Sequence, residues 1–145
     1  MQSGYIAIET HTERPGLVRF VLCDKLPDPD PTGHSELRWR YIAGFNDREA
    51  ALMHIHELLK RQLLDPDTHM YRTSPERAIA AVESLDLKHR RIYLDPDFDG
   101  HSKATITSLT EKYVGRRRAW TSLFQVLGYI GIGLLLLNLL TFSIR

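Results

Sequence analysis

The stretch DPDFDGHSK, Asp95 to Lys103, sets aspartates at three alternate positions with a glycine directly after the third. An EF-hand calcium loop begins in this way, because carboxylates at its first, third and fifth positions converge on one ion and glycine permits the sharp turn behind them. The loop then fails. Counted from Asp95, the twelfth position calls for a bidentate glutamate and holds Ile106, and the eighth calls for an apolar residue and holds Ser102. Without the final ligand the site loses its two strongest oxygens, so no calcium is expected. Asp-Pro-Asp has a second use, with proline at position i+1 of a turn and aspartates accepting from nearby backbone N–H groups. Asp28–Asp30 and Asp65–Asp67 are expected to act likewise, and LDPD occurs at both Leu64–Asp67 and Leu94–Asp97.

The segment HIHE, His54 to Glu57, has the residue types of a metal site at the wrong spacing. Two residues apart on a helix, His54 and His56 point to nearly opposite sides, whereas paired helical ligands need a spacing of three or four. His11, His34, His69, His89 and His101 are scattered without ligand spacing. No nucleophile elbow, Walker-type phosphate loop or Cys–His signature occurs. The expected catalytic, cofactor-binding and metal-ligand sets are therefore empty. Arg19, Arg38 and Arg40 form a candidate anion face on one side of a sheet, with Glu9 nearby, and the competing reading is a solvated face whose arginine stems cover strand backbone.

The elements that would position these groups are legible in outline. Tyr5–Thr10 and Leu17–Cys23 read as strands around ERPG, where Pro15 and Gly16 suit the centre of a type II turn. ELRWRYIAGF alternates, with Leu37, Trp39, Tyr41, Ala43 and Phe45 on one face and Arg38, Arg40 and Ile42 on the other, as in an antiparallel meander covered on one side. A helix is predicted from a cap at Asn46, supported by Glu49, carrying Leu52, Ile55, Leu59 and Leu63 and ending at Pro66. A second starts at Ser74 and Pro75 and carries Ala78, Ile79, Val82 and Leu85. RRIYL is a short strand, and Ile106, Leu109 and Tyr113 mark a short amphipathic helical face. The expected fold is α+β, a small sheet-and-helix sandwich in the order βββααβ.

The class of protein is set by the end of the chain. From Ala119 to Ile144 there is no charged side chain. That run exceeds the roughly 20 residues that cross a bilayer core about 30 Å thick. Trp120 and Phe142 stand near its two edges, where aromatic belts lie. Arg116, Arg117 and Arg118 precede it, and Arg145 alone follows. Basic flanks stay in the cytoplasm, so the expected topology is a tail-anchored, single-pass protein with its N-terminal domain cytoplasmic. The arginines are also candidates for holding anionic lipid. Along the span, Gln125, Gly128, Gly131, Leu135 and Asn138 fall on one broad helical face, where small residues and amides favour packing on another helix. The predicted organisation is a domain over residues 1–102, a basic juxtamembrane helix over 103–118 and a transmembrane helix over 119–144.

Charge supports that division. Residues 1–102 hold 17 acidic and 13 basic side chains, and residues 103–145 hold one acidic and six basic. A mildly acidic domain is not built for nucleic acid. A lone cysteine, Cys23, excludes an internal disulfide. The first residues lack the cationic and apolar regions of a signal peptide. The expected role is a non-catalytic accessory or assembly subunit of a larger membrane complex, its partners integral membrane proteins, a second copy through the span, and the bilayer. The alternatives are a tethered sensor binding a small anionic ligand and an enzyme with an unadvertised site among His54, His56, Glu57 and the Asp-rich loop.

Overall fold

A computed structural model describes residues 3–28 and 36–143, with side chains to residue 139. It divides into two compact units, Met1–Glu111 and Lys112–Arg145. The first unit is α+β. Strands β1 (Gly4–His11) and β2 (Leu17–Cys23) form an antiparallel hairpin. Its turn is the expected one: Leu17 N–H donates to the Arg14 carbonyl at 3.3 Å, and Gly16 has φ +85°, the left-handed value that a type II turn demands at i+2.

Strand β3 (Leu37–Phe45) pairs with β1 rather than β2, so the first three strands are not a meander. Helix α1 (Arg48–Leu59) follows, capped by Asp47, whose side chain accepts from Ala50 N–H at 3.1 Å. The cap is one residue later than the capping-box spacing implied. The helix also ends sooner. Leu63, assigned to it by periodicity, starts β4 (Leu63–Asp65), which pairs with β5 (Met70–Arg72) across the Asp65–Pro66–Asp67 turn. Helix α2 (Pro75–Glu83) has Ser74 as its cap and Pro75 in its first turn, as expected. Strand β6 (His89–Leu94) completes a six-stranded antiparallel sheet in the order β4-β5-β2-β1-β3-β6. The element order is thus βββαββαβα where βββααβ followed by the membrane helix was expected. Three-residue strands are too short to show alternation, and β4 and β5 hold their place through β5 pairing with β2.

The face carrying Ile6, Ile8, Phe20 and Tyr41 receives the helices. Tyr71, which lies opposite Val18 on this face, packs edge-on against Phe20 at 5.1 Å. Ala51, Ile55 and Leu59 of α1 and Ala78, Ile79 and Val82 of α2 are fully buried with it. A bulge changes the pattern of β3. Ile8 opposes Tyr41 but Glu9 opposes Trp39, which leaves Arg40 as the extra residue. Trp39 and Leu37 therefore switch to the face of Glu9, away from Tyr41, contrary to the simple alternation. Arg38 moves to the side of Thr10.

Helix α3 runs from Gly100 to Ser143. Asp99 opens it by accepting from Ser102 N–H at 2.7 Å. Among the described residues α3 is the helix long and apolar enough to cross a membrane, and none of its apolar window is buried within the chain. The second unit consists of its continuation from Lys112. Ile144, Arg145 and the side chain of Phe142 lie outside the described residues, as do Pro29 and Asp30 of the first Asp-Pro-Asp run and His34.

Candidate functional site

The three aspartates of DPDFDG are each engaged by the protein itself. Asp95 has 0 % exposure. Its carboxylate accepts a two-pronged bond from Arg38, Nε to Oδ2 and Nη2 to Oδ1, both at 2.8 Å. Arg40 Nη1 adds a third charged donor to Oδ2 at 2.8 Å, and Asp97 N–H bonds Oδ1 at 3.0 Å. Asp97 takes the outer side of Arg38, 2.6 Å from Nη2. Asp99 caps α3, and the Ser102 N–H bond holds its carboxyl below the usual range. The loop thus works as an Asx turn, an ion-pair hub and a helix cap. The other LDPD, Leu64–Asp67, repeats the turn: Asp65 accepts from Asp67 N–H at 3.0 Å and from the Thr68 hydroxyl at 2.7 Å.

The hub uses two of the three arginines of the candidate anion face. Arg40 Nε also donates to Thr10 Oγ1 at 3.0 Å, and its guanidinium lies 5.8 Å from the Phe98 ring centroid. Arg19 is elsewhere, opposite Glu9 in the β1–β2 register, with Nε 2.5 Å from the Glu9 carboxylate. Glu9 is 4 % exposed, and burial raises its pKa against the opposing pull of Arg19. The three arginines therefore do not converge on a shared open surface.

Of the two histidines in HIHE, His54 is exposed and His56 is half-buried. The His56 ring meets the chain far along: Nδ1 is 2.6 Å from the Tyr71 hydroxyl, and the His69 ring centroid is 5.5 Å away. Burial, followed by the charge of His69, lowers the His56 pKa, while burial pushes the Tyr71 phenol up to about 12. No local pattern points to this trio, since β5 itself is not legible in the sequence. Another polar set joins the buried Tyr41, whose hydroxyl is 2.5 Å from Glu83 Oε1, to the exposed Arg91, which bonds the same oxygen at 2.8 Å. Burial raises the Glu83 pKa, but Arg91 and Tyr41 more than offset this and hold it low.

Two features could invite small ligands. His11, Glu13 and Glu36 bring donor atoms within 4.8 Å of one another. However, His11 Nδ1 accepts from Glu13 N–H at 3.2 Å, so the neutral ring carries its proton on Nε2, which faces Glu36 at 3.2 Å. That tautomer donates to the carboxylate and has no lone pair there for a metal. A recess of about 290 Å³ is lined by Tyr5, Gly44, Phe45 and Ile92 with Arg90 and Asp24. Of its two charged groups, Asp24 is already paired with Arg48.

In the second unit, Arg116, Arg117, Arg118 and Trp120 are exposed, and Trp120 and Phe124 stack obliquely at 5.9 Å. Gln125, Gly128, Gly131, Leu135 and Asn138 follow on the same uninterrupted helix, all exposed. A Cβ built on Gly128 or Gly131 meets nothing within 4 Å. Comparison of the chain with family models, with curated proteins and with solved structures gives no match.

Proposed function

We propose that the chain is a single-pass membrane protein, anchored by α3, that serves as a non-catalytic accessory or assembly subunit of a larger integral membrane complex. The first unit faces the cytoplasm and the far end of α3 lies on the opposite side. One observation carries the reading: an apolar helical stretch, within the run free of charge from Ala119 to Ile144, that the chain itself leaves wholly unburied. Left in water, so large an apolar surface would drive aggregation, and a bilayer with partner helices removes that cost. The first unit favours contact over chemistry, because its ionisable clusters are internally paired. Arg38 and Arg40 serve Asp95, Arg19 serves Glu9 and Arg91 serves Glu83. This pairing also weighs against a small-anion sensor.

The test is extraction in mild detergent followed by mass measurement of the intact particle. Co-purification of larger integral membrane proteins in fixed ratio is the expected result. A particle containing this chain alone would replace the accessory role with self-association. Recovery in the soluble fraction without detergent would remove the anchor.

A further inference from the structure

We infer that Arg116, Arg117 and Arg118 form a belt that binds the phosphate groups of anionic phospholipids. This rests on α3 crossing a bilayer, as proposed above, and goes beyond it by naming a ligand class for the residues at the membrane edge.

The argument begins with helical geometry. Consecutive residues turn by about 100° and rise by about 1.5 Å. Three successive arginines therefore sweep roughly 200° of the helix perimeter within about 3 Å of its length. A protein partner packs against one face of a helix and would reach only part of such an arc. A layer of lipid headgroups surrounds the helix at one depth and can meet all three side chains together. The depth fits as well. Trp120 lies one turn beyond Arg116 on the same stripe, and tryptophan settles at the headgroup level. Lys112 lies one turn before Arg116 on that stripe and extends the positive surface away from the apolar core.

Charge and donor chemistry select the ligand. No Asp or Glu occurs between Lys112 and Arg145. Among the described residues, none of Lys112, Arg116 and Arg118 has a carboxylate partner. The guanidinium fork matches two oxygens of a phosphate, which an ammonium group cannot do. Topology alone does not account for this choice, since lysine serves the positive-inside rule equally well.

Trp120 provides the probe. The chain has two tryptophans, so Trp39→Phe leaves Trp120 as the sole tryptophan. The full-length variant is reconstituted into phosphatidylcholine vesicles containing phosphatidylglycerol, with a nitroxide quencher carried by one lipid or the other at equal mole fraction. Labelled phosphatidylglycerol is expected to be enriched around Trp120 by about five-fold, the equivalent of ~1 kcal/mol for one arginine. The enrichment should fall toward unity at high salt and when all three arginines are replaced by glutamine. Equal quenching by the two lipids in the unsubstituted triplet would overturn the inference while leaving the anchor in place. Inorganic phosphate is expected to reduce the enrichment more than chloride of matched ionic strength does, because the arginines hold the phosphate group itself. Quenching by neither lipid, with failure to float with the vesicles, would remove the anchor and the belt with it.

Discussion

Asp95 accepts four hydrogen bonds on one carboxylate that water does not reach. Removing its charge leaves Arg40 without a carboxylate and Arg38 with Asp97 alone, so Asp95→Asn is expected to cost about 3 kcal/mol. This is the lower end of the range for breaking a buried pair, because both arginines keep some solvent. Asp97 is 61 % exposed on its side of the same network, and Asp97→Asn should cost no more than about 1 kcal/mol. Urea unfolding of the detergent-solubilised protein measures both. Calcium would have to displace two guanidinium groups to reach Asp95, so millimolar calcium should leave the melting temperature unchanged. A clear rise that disappears in Asp97→Ala would show the loop to be a calcium site. His56 makes a separate prediction. Its folded pKa is lowered by burial and then by His69, whereas the unfolded value is about 6.5. Between those values the unfolded chain binds the extra proton. The stability contributed by the neutral ring is therefore complete above about pH 6.5 and is lost as pH falls toward the folded pKa. His56→Gln still offers an acceptor to the Tyr71 hydroxyl but cannot titrate. Unfolding midpoints at about pH 7.5 and 5.5 should differ less in this variant than in the parent. An unchanged difference would place the acid sensitivity elsewhere.

Among the described residues, α3 carries the long apolar stretch that the chain leaves unburied, and the proposed assembly covers it with a partner. A Cβ at Gly128 or Gly131 meets nothing within 4 Å and both positions are exposed, so the chain itself sets no close neighbour against a side chain there. Any loss of assembly would then report on a neighbouring helix and not on misfolding. The double variant is expected to insert normally and to lose its partner or its oligomer on detergent extraction, and Asn138→Leu should weaken the same contact. Retention of the full complex by a scrambled apolar span of equal length would confine the contact to the first unit. The elements differ in how openly the sequence declares them. β1, β2 and α2 were legible because alternation, a Pro-Gly turn and a Ser-Pro cap are local signals, and α3 because its apolar run is unbroken. The β4–β5 hairpin was not, since a three-residue strand has no period and Leu63 extended the rhythm of α1. The bulge at Arg40 leaves no mark in β3 alone, being a mismatch of two strands. The Asp95 hub joins positions 57 and 55 residues apart, so types and spacing suggested a turn but not the arginines that fill it.

At the scale of the whole molecule, the proposed orientation rests on the distribution of charge. The first 102 residues carry 17 acidic and 13 basic side chains, while the edge of the apolar run carries three adjacent arginines against a single Arg145 beyond it. Lysine and arginine within short flanks resist translocation, and acidic groups contribute little to the bias. In the proposed topology the arginine triplet should therefore hold the first unit in the cytoplasm. A protease added to the cytoplasmic face is expected to digest the first unit and leave a tag placed after Arg145 protected. Replacing Arg116, Arg117 and Arg118 together with glutamine should weaken this orientation and yield a mixed population. It should not prevent insertion, because the apolar length that drives insertion is untouched. Protection of the first unit in the unsubstituted protein would reverse the topology. It would also place the arginine belt against the opposite leaflet, so the protease and lipid-quenching measurements constrain each other.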